Sequence, residues 1–375
     1  MKKYYSLLLI VVISSVFFTS CDPKETESEY EIVNIEEDIK SETQWAGGKI
    51  YVIKKNDFRV ENTLTIGAGS IIKFTSNAGN MTVINGAKII ARGSSGSPIV
   101  FTSIKDDGNG GDTNGDGGGT SPAAGDWNSI TLVESSGSEF INCKFMYGGR
   151  NDGLKQNAAL DISTNSSAII NNCTFAYNGG KFDKNNCVGA LHTINSNYQN
   201  TEITGNIFYS NELPLTINAE KDLNNSNSFS YNGYTNKYNG IFVDGIRITK
   251  NTTWQEDEVA FVILSNNLVI NSGIKLTLAN KAVLKFLEDG MLDLIDGGSA
   301  LVNHDGSGVY FTSFKDDAHG GDSNGNGNID ENELSQENYY DWYGVYTGGQ
   351  KNSNYASWPN ILYANPNPPE VKKAI

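Results

Sequence analysis

The sequence predicts an all-β solenoid, and three observations carry that prediction. Short runs of Ile, Val, Phe, Tyr and Thr alternate with Asn, Asp and Gly, and no convincing amphipathic helix interrupts them. The middle of the chain holds a loose repeat, FINCKFMYGG from Phe140, IINNCTFAYNGG from Ile169, EITGNIFYSN from Glu202 and NNSNSFSYNG from Asn224. Aligning Phe145, Phe175, Phe208 and Phe229 gives spacings of 30, 33 and 21 residues, the period of a coil that covers the apolar face of its neighbour. Finally, a longer module is duplicated. DIKSETQW ending at Trp45 matches RITKNTTW ending at Trp254, and YVI at Tyr51 matches FVI at Phe261. LTIGAGSIIKF from Leu64 matches LTLANKAVLKF from Leu276, and FTSIKDD from Phe101 matches FTSFKDD from Phe311. Each copy then runs through an acidic Gly-rich loop to Asp-Trp.

Taken in order, the chain opens with Lys2 and Lys3, an apolar run LLLIVVISSVFF, and Thr19-Ser20-Cys21. Residues 1–20 are expected to be a secretory signal whose apolar part is short for a spanning helix. The tail FTSC resembles a bacterial lipobox, with Phe18 where Leu is more usual. That resemblance implies that Cys21 becomes the lipidated first residue and that lipid alone holds the chain at the bacterial outer membrane or cell surface. Residues 21–29 are polar and acidic, as a tether would be, and an acidic start after the Cys resembles the surface-export signals of such lipoproteins.

Loss of residues 1–20 would remove two lysines and leave 26 basic against 43 acidic side chains, a net charge of −17. Such a surface repels nucleic acid and anionic membrane faces alike. Beyond Cys21 remain Cys143, Cys173 and Cys187, an odd number that cannot all pair. Cys143 and Cys173 hold the same place in INCKF and NNCTF and read as small buried residues stacked in neighbouring coils.

Residues 30–250 are expected to hold the first module and the central coils, and residues 251–375 the second module. Alternating apolar residues would point inward, with Asn and Gly at the turns. This arrangement resembles the right-handed parallel β-helix proteins over most of residues 30–375. The order LTI, KF, FTS, Asp-Trp is similar to that of secreted and surface bacterial members, whose first coils read LTI-x-x-G-x-x-I-x-F and are followed by FTS and Gly-Asp-Trp. GAGSIIKF and GDWNSI fit that form well, ANKAVLKF and YDWYGV less well. One long rod or two stacked shorter ones are both compatible with the repeats. Residues 30–45 are expected to cover the first end and NPNPPEVKKAI to frustrate pairing at the other.

The second acidic loop fills the pattern D-x-[DN]-x-[DN]-G-x5-E. Asp322, Asn324, Asn326, Gly327 and Glu333 hold its fixed positions, Asp330 the ninth, and the Asn328 carbonyl would be the backbone ligand. Short oxygen-bearing side chains at alternate positions converge on one hard cation, so calcium is expected there. The first loop keeps Asp112, Asn114 and Asp116 with Gly117, but Ala123 stands where the closing Glu belongs. A metal in it would need Asp106, Asp107 or Asp126 instead. Strand-like flanks rather than helices imply an ion that pins a long surface loop.

Many proteins of this resemblance are polysaccharide lyases or hydrolases, which makes those activities the alternative reading. The sequence assigns no catalytic residue. Its four arginines, Arg59, Arg92, Arg150 and Arg247, are scattered; Asp161, Asp183 and Asp244 share no spacing; His192, His304 and His319 are isolated. The leading expectation is therefore a non-catalytic surface lipoprotein, binding carbohydrate or another macromolecule or acting as a spacer. The strip Tyr339, Tyr340, Trp342, Tyr343 and Tyr346 is the aromatic patch the sequence offers, more readily half core than exposed.

Overall fold

The computed structural model describes residues 30–76, 79–151, 155–265, 267–327, 341–351, 355 and 358–365. They form an all-β parallel β-helix. One coil takes a strand from each of three sheets, as in Ile71–Phe74 (sheet A), Asn80–Val83 (sheet B) and Ile89–Arg92 (sheet C), before Ile99–Ser103 returns to sheet A. Sheet A has seven strands, from Ile32–Ile35 to Ile207–Tyr209; sheet B has ten, from Phe58–Val60 to Tyr310–Ser313; sheet C has six, from Thr43–Trp45 to Glu202–Thr204. Residues 30–45 supply the first rungs of sheets A and C. Among the described residues no helix is long and apolar enough to cross a membrane.

Stacking places like residues over like. Phe101, Phe145, Phe175, Phe208 and Phe229 form one interior column with ring centroids 5.0, 4.8, 5.0 and 5.3 Å apart, nearly parallel. These separations match the strand spacing of about 4.8 Å, so each ring caps the next. The unequal sequence spacings are absorbed at the corners, where loops of different length leave the same rung geometry. Cys143 and Cys173 are buried and unpaired, each sulfur against a backbone carbonyl, Ala91 and Phe140 respectively.

Asparagines fill the corners. Asn178 Nδ2 donates to Phe145 O at 2.8 Å and to Asn211 Oδ1 at 2.9 Å; Asn211 repeats this with Phe175 O and Asn236 Oδ1, both at 2.8 Å. Asn206 and Asn227 make a second such ladder. These buried asparagines thus satisfy turn backbone.

The two modules share one helix. Sheet B passes through both, with Gly240–Asp244 paired to Ala260–Ile263. The strands of the first module, Ile50–Ile53, Ile71–Phe74 and Ile99–Ser103, lie in sheet A, whereas their counterparts, Ala260–Ile263, Val283–Phe286 and Tyr310–Ser313, lie in sheet B. The duplicate has entered turned by one face, and two new sheets begin beside it, at Arg247–Ile248 and Thr252–Trp254. The module boundary at 250/251 falls between those two strands, inside one coil.

Candidate functional site

The duplicated motif is a clamp for the acidic loop, and both copies close alike. Thr102 Oγ1 donates to Asp106 and Thr312 Oγ1 to Asp316, each at 2.6 Å. At the far end Ser103 Oγ and Lys105 Nζ donate to Asp126, and Ser313 Oγ and Lys315 Nζ to Asp341. The adjoining Trp127 inserts against Phe74 with centroids 4.4 Å apart, as Trp342 does against Phe286 at 4.3 Å. A lysine with no exposed surface anchors the loop interior. Lys73 Nζ donates to the carbonyls of Asp106 and Gly111, both at 2.9 Å, while Lys285 Nζ reaches Gly321 O and Ser323 Oγ. Burial lowers the pKa of both ammonium groups, that of Lys285 to about 8.

Within the first loop, Asp112 Oδ1 accepts the Gly115 amide and Oδ2 the Gly117 amide, both at 2.8 Å. In the second, Asp322 accepts Gly325 at 2.7 Å and Gly327 at 2.9 Å through the same pair of oxygens. The loops therefore start with one geometry. Of the replacement ligands offered by the sequence for the first loop, Asp106 is occupied by Thr102 and Asn109, and Asp126 by Ser103, Lys105 and the Ala123 amide. Asp107 is the one that converges: carboxylate oxygens of Asp107, Asp112 and Asp116 lie within 4.8 Å of one another. Asp107 Oδ1 is shielded from solvent with no hydrogen-bond partner among the described residues. Its pKa is raised by burial and then by Asp112 and Asp116, whereas Asp116 is lowered chiefly by the Thr120 hydroxyl. Asn114 turns its amide nitrogen toward Asp116 at 2.8 Å. Asn324 and Asn326 are in the described part of the second loop; Asn328, Asp330 and Glu333 lie outside the described residues, as does Cys21.

A second feature was not legible as a site. A groove of about 620 Å³ follows the corner between sheets A and B, from Ala124 and Gly125 at the end of the first acidic loop to Thr235 and Lys237. Its floor is backbone. A Cβ on Gly179 would lie 2.2 Å from Gly149 O, and Gly149 has φ +82°, so only glycine lets these coils approach. Its charged groups are engaged: Arg150 donates to the carbonyls of Gly125, Ser76 and Asp126, and Lys237 pairs with Glu212 at 2.7 Å. The coils that form it carry a row of tyrosines, each shortly ahead of groove residues in the chain. Tyr147, Tyr177, Tyr209 and Tyr231 have centroids 5.5, 5.6 and 5.2 Å apart. Tyr209 is turned 78° from Tyr177, presenting its ring differently from its stacked neighbours. The hairpin Ser230–Tyr231/Tyr234–Thr235, closed by Asn232-Gly233 with both φ positive, holds Tyr231 and Tyr234 at 47% and 61% exposure.

By contrast, Trp342 and Tyr346 of the sequence-derived patch are buried and Tyr343 is half-buried; Tyr339 and Tyr340 lie outside the described residues. Arg92 pairs with Glu139. The register does unite two residues that sequence spacing left apart: Asp161 and His192 sit on adjacent rungs of sheet B, followed by Thr216. Thr216 Oγ1 lies 2.7 Å from His192 Nδ1. Burial raises Asp161 to about 6 and lowers His192 to about 4. The rung on the other side of Asp161 carries Thr131, so no second carboxylate adjoins it in the ladder, as acid–base cleavage of a glycoside would require.

Glu256 offers a test of these electrostatics away from the groove. It is buried, its Oε1 accepts the Asp257 and Glu258 amides, and burial raises its pKa to about 7. A folded-state pKa above the ordinary value means that the fold favours the protonated acid, so stability declines as pH rises from 4.5 through about 7. Glu256→Gln should therefore melt above the parent at pH 8 and approach it at pH 5; an equal gap in melting temperature at both would contradict this.

No family model, curated protein or solved structure matches the chain.

Proposed function

We propose that the chain is a lipid-anchored protein of the bacterial cell surface whose calcium-pinned β-helix binds carbohydrate without cleaving it. The observation that supports this reading best is the tyrosine row beside a groove whose charged side chains are tied to backbone or to each other. Rings and hydroxyls there can meet sugar faces and hydroxyls, and the carboxylate that lines the groove, Glu212, is paired with Lys237. The segment ending at Cys21 supplies the anchor and the two acidic loops the calcium sites, with Asp107 serving the first where Ala123 replaces Glu. The similarity to surface β-helix lipoproteins with FTS, acidic-loop and Asp-Trp modules supports the same reading.

Two measurements test it. Retention on immobilised polysaccharides in calcium, with no reducing or unsaturated products released, is the expected result; product release would overturn the non-catalytic part. Labelling with a radioactive fatty acid should mark the parent but not Cys21→Ala, and an unlabelled parent in the soluble fraction would remove the anchor.

Catalysis is the second reading, favoured by Asp161 and His192 on adjacent rungs with perturbed acidities. Product release that disappears in Asp161→Asn would establish it.

A further inference from the structure

Resting on the carbohydrate reading above, we infer that the groove takes an uncharged, extended glycan lying along the helix axis, about one sugar per coil. Periodicity sets the direction. The tyrosines recur at 5.5, 5.6 and 5.2 Å, one per coil, close to the advance of a single pyranose unit in an extended chain. A glycan crossing the coils at right angles would meet only one or two of these rings. Along the axis it meets all four, and the hairpin that carries Tyr231 and Tyr234 extends the row at one end.

Contact would differ along the row. Tyr147 and Tyr177 cover each other's faces, so they offer ring edges and hydroxyls. Tyr209 breaks the stack, and Tyr231 and Tyr234 stand free enough to present a ring face to the C–H side of a sugar. In the groove lining, Ser210 and Thr235 bring hydroxyls suited to sugar hydroxyls.

The engagement of the groove's cations favours a neutral ligand. A uronate or sulfate ester recognised here would need a guanidinium or ammonium aimed at it. Arg150 is the arginine of the groove, and its three donating nitrogens already reach the carbonyls of Gly125, Ser76 and Asp126. Lys237 is the lining lysine, held by Glu212 at 2.7 Å. Lys237 and Glu212 neutralise each other, and freeing Arg150 would take a donor from the partly buried carbonyls of Gly125 and Asp126. A polyanion would also approach a chain with a net charge of −15. A neutral chain needs neither rearrangement.

The experiment is calorimetric titration of the whole protein, in calcium, with neutral cello-, malto-, manno- and xylo-oligosaccharides of two to six sugars and with oligogalacturonates of the same lengths. One neutral series should gain affinity with each added sugar up to about four, the number of rungs in the tyrosine row, and then level off. The galacturonates should bind at least about tenfold more weakly. Tyr209→Ala should weaken the neutral ligand about three- to tenfold, and Tyr209→Phe, which keeps the ring and its packing, should lose less. Melting curves of both variants separate a lost contact from a lost fold. Tighter binding of galacturonates would overturn the neutral class and leave the carbohydrate reading standing. Affinity independent of length, or unchanged in Tyr209→Ala, would overturn the placement along the row. Binding of neither class would overturn the carbohydrate reading itself.

Discussion

Phe175→Ala should lower the unfolding free energy by about 3–5 kcal/mol, among the largest effects a single substitution in this chain can have. The ring has no exposed surface and lies between Phe145 and Phe208, with centroids 4.8 and 5.0 Å away. Removing it opens a cavity in the axis of the helix and uncovers two ring faces at once. Stacked strands hold their spacing through backbone hydrogen bonds, so neighbouring coils cannot collapse into the gap. Phe175→Leu should recover part of the loss by refilling volume without restoring the stack. Urea unfolding of the three proteins gives the comparison. A Phe175→Ala midpoint within error of the parent would show that the column contributes little beyond volume that water or a rearrangement can replace.

The column was readable in the sequence because each Phe sits in a similar string, and similarity survives the uneven spacings of 30, 33 and 21 residues. The duplicated motif was also readable, yet its purpose was not. That Ser103 and Lys105 hold Asp126 depends on a loop returning over more than twenty residues, which no local pattern encodes. The rotation of the second module by one face was equally hidden, since the same strings describe it whichever sheet they join. Asp161 and His192 looked unrelated because 31 residues separate them, and only the register of sheet B makes them neighbours.

The groove and its tyrosines were missed for a different reason. FMYGG, FAYNGG, IFYSN and FSYNG place a Tyr one or two residues after each core Phe, a signal already present in the alignment of those phenylalanines. In a regular strand, one residue after an inward side chain faces out and two residues after faces in again. Tyr147 and Tyr177 escape that rule through positive φ, 63° and 58°, which end their strands and swing the rings outward. Non-glycine residues with positive φ are uncommon, so the alternation rule gave no warning. The Asn-Gly of the hairpin was a better signal: flanked by Tyr231 and Tyr234, it is a two-residue turn with two rings at its tip.

Calcium should bind both acidic loops, and separate substitutions should remove the two sites one at a time. The shared cradle, in which Asp112 and Asp322 each accept two glycine amides, prepares both loops to present oxygens at alternate positions. The second loop has the full pattern, with Glu333 as its bidentate closing residue by sequence. The first lacks that Glu, and Asp107 brings a third carboxylate to Asp112 and Asp116 instead. Asp107 does not stand at the closing position from which a Glu binds through both oxygens, so the first site should be the weaker. Calorimetric titration should resolve two events in the parent; Glu333→Gln should abolish or strongly weaken the tighter one, and Asp107→Asn the looser. Each occupied site stabilises the fold by linkage, by about 2.7 kcal/mol at a calcium concentration 100 times the dissociation constant. Removal of calcium by a chelator should therefore lower the melting temperature of the parent more than that of either variant, and least for the double variant. The same heat in the parent and in Glu333→Gln would reduce the second loop to a solvated turn, and an Asp107→Asn titration identical to the parent's would do so for the first.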